Sequence, residues 1–399
     1  MEERNRIVDI LILGGGTGGS AAAEQAARMG ARVIVAEETP LLGGMITSAG
    51  VSAFDGNKGT LATGFYRRLR DYLEEHYGGK KAVFTGWISE TCFEPHVAAK
   101  FINEQVTASG AEVWHGARVV SLLKDGNRIN GAVIDCDGEQ REVRAYVTID
   151  ATEYADGIKA GDIAHFLGRD PKDRFGELHA PDQADDEVQD MTMCVILKKH
   201  EGKAPQLPKP PNYDPDEFDC STAVRASTTD EDYLNHKLHS WESFISYASL
   251  PNDKYLLNWP FHANDSPDTN GIFGTLEERE HAIQLARERT IRYVYYIQND
   301  LGHPEWGIAE DEFDTPDNLA YLPYVRESRR MAGVTTLIEK DVIPVANSER
   351  APFRADGISV GDYFLDHHHS KEHLPPDERI EENYPDNGPF QVPYGSLVS

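Results

Sequence analysis

Three glycines and one acid are spaced to hold a diphosphate and a ribose. Gly14, Gly16 and Gly19 form G-x-G-x-x-G within Gly14-Gly15-Gly16-Thr17-Gly18-Gly19, and Glu37 lies 21 residues after Gly16. Gly14 permits a tight turn, Gly16 lets backbone approach a diphosphate, and Gly19 lets a helix pack closely on a strand. A helix that starts here offers unpaired N–H groups and the positive end of its dipole to phosphate. Glu37 is placed to accept hydrogen bonds from ribose hydroxyls. Thr17 and Ser20 either bond phosphate or cap the helix, and the two jobs are compatible.

The elements that must position these residues surround them. The apolar run Ile7 to Leu13 has the character of a buried parallel strand. Ser20 to Met29 is rich in alanine and predicts a helix ended by Gly30, and Arg32 to Ala36 predicts the next strand. Glycine turns are common, so the motif alone says little. Strand, glycines, helix, strand and acid in this order say much more, the alternative being an ordinary βαβ unit with a glycine-rich turn. Ala111 to Trp114 predicts a third parallel strand. Arg118 to Leu123, Ile129 to Asp135 and Arg141 to Val147 predict three short strands, with turns at Asp125-Gly126-Asn127 and Asp137-Gly138. Val147 to Glu153 then returns to the main sheet.

Gly43-Gly44-Met45 resembles the second glycine pair of FAD-binding proteins of the glutathione-reductase type, and a long segment, about 46–110, intervenes before the next strand. A β-meander crossover and a strand ending in an Ala-Thr-Gly-like turn belong to the same pattern; Glu153 replaces that glycine here. Over nearly its whole length the chain resembles the FAD-dependent oxidoreductase family that includes relatives of the flavin subunit of heterodisulfide reductase. The resemblance is carried by Gly14 to Gly19, Leu42-Gly43-Gly44-Met45, Ile149-Asp150-Ala151-Thr152, Leu257-Asn258-Trp259-Pro260 with Asn264-Asp265, Arg326-Glu327-Ser328-Arg329-Arg330, and Val392-Pro393-Tyr394-Gly395-Ser396-Leu397.

The resemblance implies an α/β fold: a Rossmann-like FAD-binding domain, with a parallel sheet and β-meander crossover, plus an α+β substrate-side domain. Residues 1–160 would form the FAD-binding domain with its inserted helical segment, 161–325 the substrate-side domain, and 326–399 a return segment. It implies FAD contacts at Gly14, Gly16, Thr17, Gly18, Gly19, Glu37, Gly43, Gly44, Met45, Val119 and Ala151. In relatives the Pro-Tyr-Gly-Ser-Leu segment is followed by a further strand, an FAD-contacting turn and a helix. A chain ending at Ser399 is therefore expected to be truncated or completed by a second chain, and to retain FAD weakly.

With 399 residues the chain can form two or three domains. Its 39 basic and 67 acidic residues give a net charge of −28, a field that repels nucleic acid and anionic lipid. No segment has the ~18 apolar residues of a membrane helix, and the N-terminus lacks a signal-peptide pattern, so a cytoplasmic location is the expectation. Cys92, Cys136, Cys194 and Cys220 are scattered without a C-x-x-C pair, which argues against an iron–sulfur cluster or redox dithiol.

Other constellations carry two readings each. Arg326, Arg329 and Arg330 stabilise negative charge on reduced flavin or substrate, or pair with the chain's many carboxylates. His262, with Asn264 and Asp265, handles the proton that accompanies hydride transfer, or forms a capped polar turn. His367-His368-His369 with His373 suggests metal, but adjacent histidines of an extended chain point in alternate directions, so no metal site is expected. Asp150 contacts cofactor or caps a strand end, the structural role being favoured. Leu276 to Leu301 predicts the longest helix, with Ile283, Ala286, Val294 and Ile297 among its apolar positions. Together these readings predict non-covalently bound FAD, a small-molecule substrate and an electron acceptor. The rivals are an NAD(P) enzyme without flavin and a non-catalytic part of a split flavoprotein.

Overall fold

The end of the N-terminal apolar run is buried on both faces, as a central parallel strand requires: Leu11, Ile12 and Leu13 are at most 1% exposed, while Ile7 at its start is exposed. In this computed structural model residues 5–55, 63–87, 91–219, 221–222, 240–259, 262–345, 348–363, 368 and 388–399 are described. Pro260, Cys220, His367, His369, His373 and most of the polar stretch from Leu365 to Gly388 lie outside the described residues.

Strand β1 (Asn5–Leu13) runs into helix α1 (Thr17–Arg28) and strand β2 (Val33–Glu37). Helices α2 (Gly64–His76), α3 (Lys80–Val83) and α4 (Pro95–Ala108) follow, then strands β3 (Glu112–His115), β4 (Ala117–Asp125), β5 (Arg128–Cys136) and β6 (Glu139–Asp150). The sheet order is β3-β2-β1-β6-β5-β4. The first four strands are parallel, and β6, β5 and β4 form an antiparallel meander. Pro95 opens α4 at the position where its missing N–H costs nothing.

One expected boundary is absent. The third meander strand and the return strand are a single strand, β6. No turn residue interrupts Arg141 to Asp150, and both edges are used together. Glu139–Arg144 pairs with β5, while Glu142–Asp150 pairs with β1.

The sheet has two apolar faces. Ile12, Val33 and Val35 pack with Ala23 of α1, with Leu69 and Leu73 of α2, and with Val97, Phe101 and Ile102 of α4. The segment that interrupts the sheet in sequence is thus a layer of the same domain. On the other face Val8, Leu11, Leu13, Ile34 and Ala36 pack with Ala117, Ala132 and Ile134, so the meander curls over the parallel strands.

Residues beyond β6 build a second core around an antiparallel sheet in the order Ser249–Leu250, Lys254–Leu257, Val195–Lys199, Trp306–Ile308. A smaller sheet joins Asp265–Ser266, Met191–Thr192 and Tyr324–Val325. The run Met191 to Leu197 is therefore two strands in two sheets. At the break, Thr290 and Asn264 side chains donate to the Met193 carbonyl, and Ala320 N–H donates to that of Cys194. The long helix Leu276–Asn299 covers this core through Ala282, Ala286, Thr290, Tyr293, Val294 and Ile297. Farther on, Arg330–Met331 pairs with His165–Phe166, and Gly357–Gly361 pairs with Phe390–Pro393.

Candidate functional site

Two glycine loops meet at the carboxyl ends of β1 and β2. Gly16 caps α1 without any side-chain cap, so the first-turn N–H groups face the loop. Gly16 and Gly43 form a parallel bridge, Gly43 N–H donates to the Gly15 carbonyl at 2.8 Å, and Thr17 Oγ1 donates to the Gly43 carbonyl at 2.8 Å. Ser20 Oγ donates to the Gly15 carbonyl. Thr17 thus ties the two loops together, and Ser20 fixes the first loop to α1. A β-carbon on Gly14 would lie 2.5 Å from the Ala151 carbonyl carbon, and one on Gly44 would lie 2.7 Å from Gly16 Cα. Gly14, Gly43 and Gly44 all have positive φ. Gly18 is exposed with open space around it, and Met45 is 38% exposed on the second loop.

The crevice beside these loops is lined by Gly14, Gly16, Glu37, Val119, Ala151 and Glu153, with Leu322 from the second core. It brings together five of the residues expected to hold the cofactor. Glu37 is 5% exposed, and its carboxylate already has partners. Oε2 accepts from Gly15 N–H at 2.6 Å; Oε1 accepts from Thr39 N–H at 2.8 Å and Thr39 Oγ1 at 2.6 Å. A carboxylate has about four acceptor positions, so Oε2 keeps room for one more donor.

Two further carboxylates share this crevice. Glu38 pairs with Arg118 Nε at 3.1 Å; burial raises the Glu38 pKa despite that pairing. Glu153 lies in the turn after β6, and its carboxyl projects toward Gly16 and Gly44. Burial, then Glu37, then Glu38 push Glu153 up to about 7.

The turn after β6 is clamped from both sides. Asp150 accepts from Thr152 N–H and Oγ1 and from Ile158 N–H, which is the favoured structural role. Arg279 of the long helix forks onto Asp156 at 2.7 and 2.6 Å and lies over the Tyr154 ring. Arg329 donates to the Tyr154 and Phe273 carbonyls. Sequence reasoning passed over Arg279. Its one signal was register, because 279, 282, 286, 290, 293 and 297 form the buried stripe of the helix.

The three arginines do not converge. Arg326 goes to the Asp190 carbonyl, Asn258 and Asp265; Arg330 goes to the Gly168 carbonyl and Asp170. Each charge is met by protein atoms. Asp265 is the centre of a buried network: Arg326 Nη2 lies at 3.1 Å, His368 Nδ1 at 2.8 Å, and Thr192 Oγ1 also contacts it. Burial opposes ionisation, but Arg326, His368 and Thr192 hold Asp265 down at about 2. His262 lies on an exposed turn with φ of 57°. His368, expected in a solvated loop, is the histidine that meets the buried acid.

A larger cavity of about 580 Å³ opens between α4 and residues 310–321, behind Leu41 and Leu42. Volume alone favours it, but it lacks the paired glycine loops, and the α4 N-terminus at its edge is already met by Glu312, which accepts from His96 N–H at 3.3 Å. At its edge Glu94, His96 and Glu312 place ligand atoms within 4.8 Å of one another. Lys254 Nζ already sits there, 2.7 Å from Glu94 and 2.5 Å from Glu312, so the cluster carries its own cation. Cys92 and Cys194 are buried, and burial pushes both thiols up, Cys92 to about 12. Among the described residues no helix is long and apolar enough to cross a membrane.

Comparison with known proteins supplies the setting. The family model of the FAD dependent oxidoreductases matches residues 9–399. Digeranylgeranylglycerophospholipid reductase of Picrophilus torridus is 30% identical over 159 residues, which are 36% of this chain and 38% of that protein. The enzyme of the same name from Thermoplasma acidophilum is 28% identical over the same shares. The chain thus spans under two fifths of the length of the curated relatives it matches. Among solved structures, a geranylgeranyl bacteriochlorophyll reductase-like protein of Thermoplasma acidophilum overlaps with a TM-score of 0.31 and 19% identity, over 49% of this chain and 47% of that one. L-proline dehydrogenase from P. horikoshii overlaps with a TM-score of 0.33 and 14% identity, over 50% and 62%. Both overlaps are partial.

Proposed function

Because the chain belongs to the FAD dependent oxidoreductase family, we propose that it holds FAD non-covalently along the Gly14–Gly19 crevice and transfers a hydride between a small organic substrate and the flavin. Electrons then pass to a separate acceptor. The motifs around Trp259 and Arg326 to Arg330 support a finer place in that family, among relatives of the heterodisulfide reductase flavin subunit.

One observation carries the cofactor reading. Two glycine loops from separate parts of the chain are bridged at Gly16 and Gly43, with an uncapped helix N-terminus at their junction. The β-carbons they lack let the two loops close on each other, so that the helix N-terminus and loop amides gather at one place suited to a diphosphate. Bound flavin supplies the two-electron redox chemistry, and the residues of this chain bind, orient and handle protons. Gly16, Thr17, Gly18 and Gly19 direct backbone N–H groups at phosphate oxygens. Glu37 uses its remaining Oε2 acceptor position for a ribose hydroxyl. Val119 and Ala151 would hold the adenine part of the cofactor, and Gly44 and Met45 the flavin part.

On the substrate side, Asp265 fixes the His368 imidazole through Nδ1, an orientation suited to proton handling. Arg326 keeps Asp265 ionised for that task. The small sheet carrying Asp265 also includes Tyr324–Val325, two residues after Leu322 of the crevice. These contacts favour His368 over His262 as the proton-handling group, with Arg326 and Arg329 as positioning residues. Extraction of bound nucleotide followed by mass analysis tests the reading. FAD with flavin absorbance is expected; a colourless protein that takes up NADH but not FAD would overturn it.

A further inference from the structure

We propose that Glu153 binds the dinucleotide as a neutral acid, donating its O–H to a diphosphate oxygen, so that FAD binding takes up one proton from solvent. This rests on the crevice being the FAD site.

The geometry points there first. Glu153 Oε1 lies 3.3 Å from the β-carbon position of Gly16 and closer still to that of Gly44, one glycine from each of the two loops that meet here. The crevice encloses only about 20 Å³, so the Glu153 carboxyl must re-aim when a diphosphate enters. Its charged surroundings come second. From β2, Glu37 and Glu38 face it; from β4, Arg118 is engaged by Glu38. Beyond the β6 turn, Asp156 is engaged by Arg279, and Arg329 turns to the Tyr154 carbonyl. Among the described residues, Glu153 has no hydrogen bond and no ion pair.

A carboxylate in this position would repel an incoming diphosphate in a poorly solvated cleft. A carboxylic acid there donates a charge-assisted hydrogen bond instead. The same group is an obstacle when ionised and a ligand when protonated. Burial and the two neighbouring carboxylates already hold its pKa near neutrality, and a bound diphosphate adds negative charge that holds the proton more tightly.

The test uses the full chain stripped of flavin and titrated with FAD between pH 5.5 and 9. Affinity is read from protein fluorescence. Proton uptake is read from calorimetry in two buffers of different ionisation enthalpy. The expected result is a Kd that weakens by up to about tenfold per pH unit above about pH 7, with about one proton taken up per FAD at pH 8. Glu153→Gln, which donates at every pH, should flatten the Kd profile and abolish that uptake. A pH-independent Kd without proton uptake in the wild-type chain overturns the proposal, and so does Glu153→Gln with an unchanged slope. If Glu153→Gln fails to fold, as read by circular dichroism, the wild-type proton uptake still decides. FAD binding without proton linkage removes only the role of Glu153; failure to bind FAD at any pH removes the cofactor reading as well.

Discussion

A β-carbon at Gly14 would press on the Ala151 carbonyl, and φ of +88° strains any other residue there. Gly18, on the exposed face of α1, meets nothing within 4 Å. Gly14→Ala should therefore destabilise the fold by about 1–3 kcal/mol, while Gly18→Ala should be neutral or stabilise by up to about 1 kcal/mol. Denaturant midpoints of the two variants check the contrast, and equal midpoints would contradict it. Glu153 has a stability signature of its own. Its folded pKa of about 7 lies above the ordinary carboxyl range, so its contribution falls as pH rises from about 4.5 through 7. Without FAD, Glu153→Gln should match the wild type at pH 4 and exceed it at pH 8 by up to about 3 kcal/mol. Melting curves at the two pH values measure this, and an unchanged difference would show that the acid is not held neutral by the fold.

At the level of elements, the long helix is fixed at its start and pinned along its length. Thr275 and Glu278 form a reciprocal capping box. Thr275→Ala should cost about 1 kcal/mol, seen as a lower denaturant midpoint with an unchanged slope. Across the interface between α4 and the second core, Lys254 is 2% exposed and is the cation shared by Glu94 and Glu312, with Asp311 at 2.9 Å. Lys254→Met leaves buried carboxylates without their cation and should cost about 3–5 kcal/mol. A loss below 1 kcal/mol in the same unfolding assay would mean that water solvates the cluster. Arg279 and Arg329 join the crevice turn to the second core, so the two regions are connected at the edge of the crevice.

Across the whole molecule the net charge of −28 opposes compaction. Salt screens this repulsion over a Debye length of about 8 Å at physiological ionic strength. The melting temperature should rise between 0.02 and 0.5 M sodium chloride; a fall would show that the local ion pairs outweigh the global field. The same charge distribution bears on the crevice, where Glu37, Glu38 and Glu153 all gather beside the place proposed for a diphosphate. Helix α1 and the loop amides supply the opposing positive potential there.

The order of strand, glycines, helix, strand and acid was set by sequence alone, because backbone stereochemistry and apolar periodicity are local properties. The meander turns at Asp125-Gly126 and Asp137-Gly138 and the long helix were legible for the same reason. The continuity of β6 was not, since it depends on two pairing partners at once. Nor was the destination of the charged side chains. Glu37 is taken up by Gly15 and Thr39, the three arginines diverge, and Asp265 finds His368 across 103 positions of chain. Only the tertiary structure decides such pairings, because burial leaves each charge to the partner that packing brings within reach, however far away it lies in sequence.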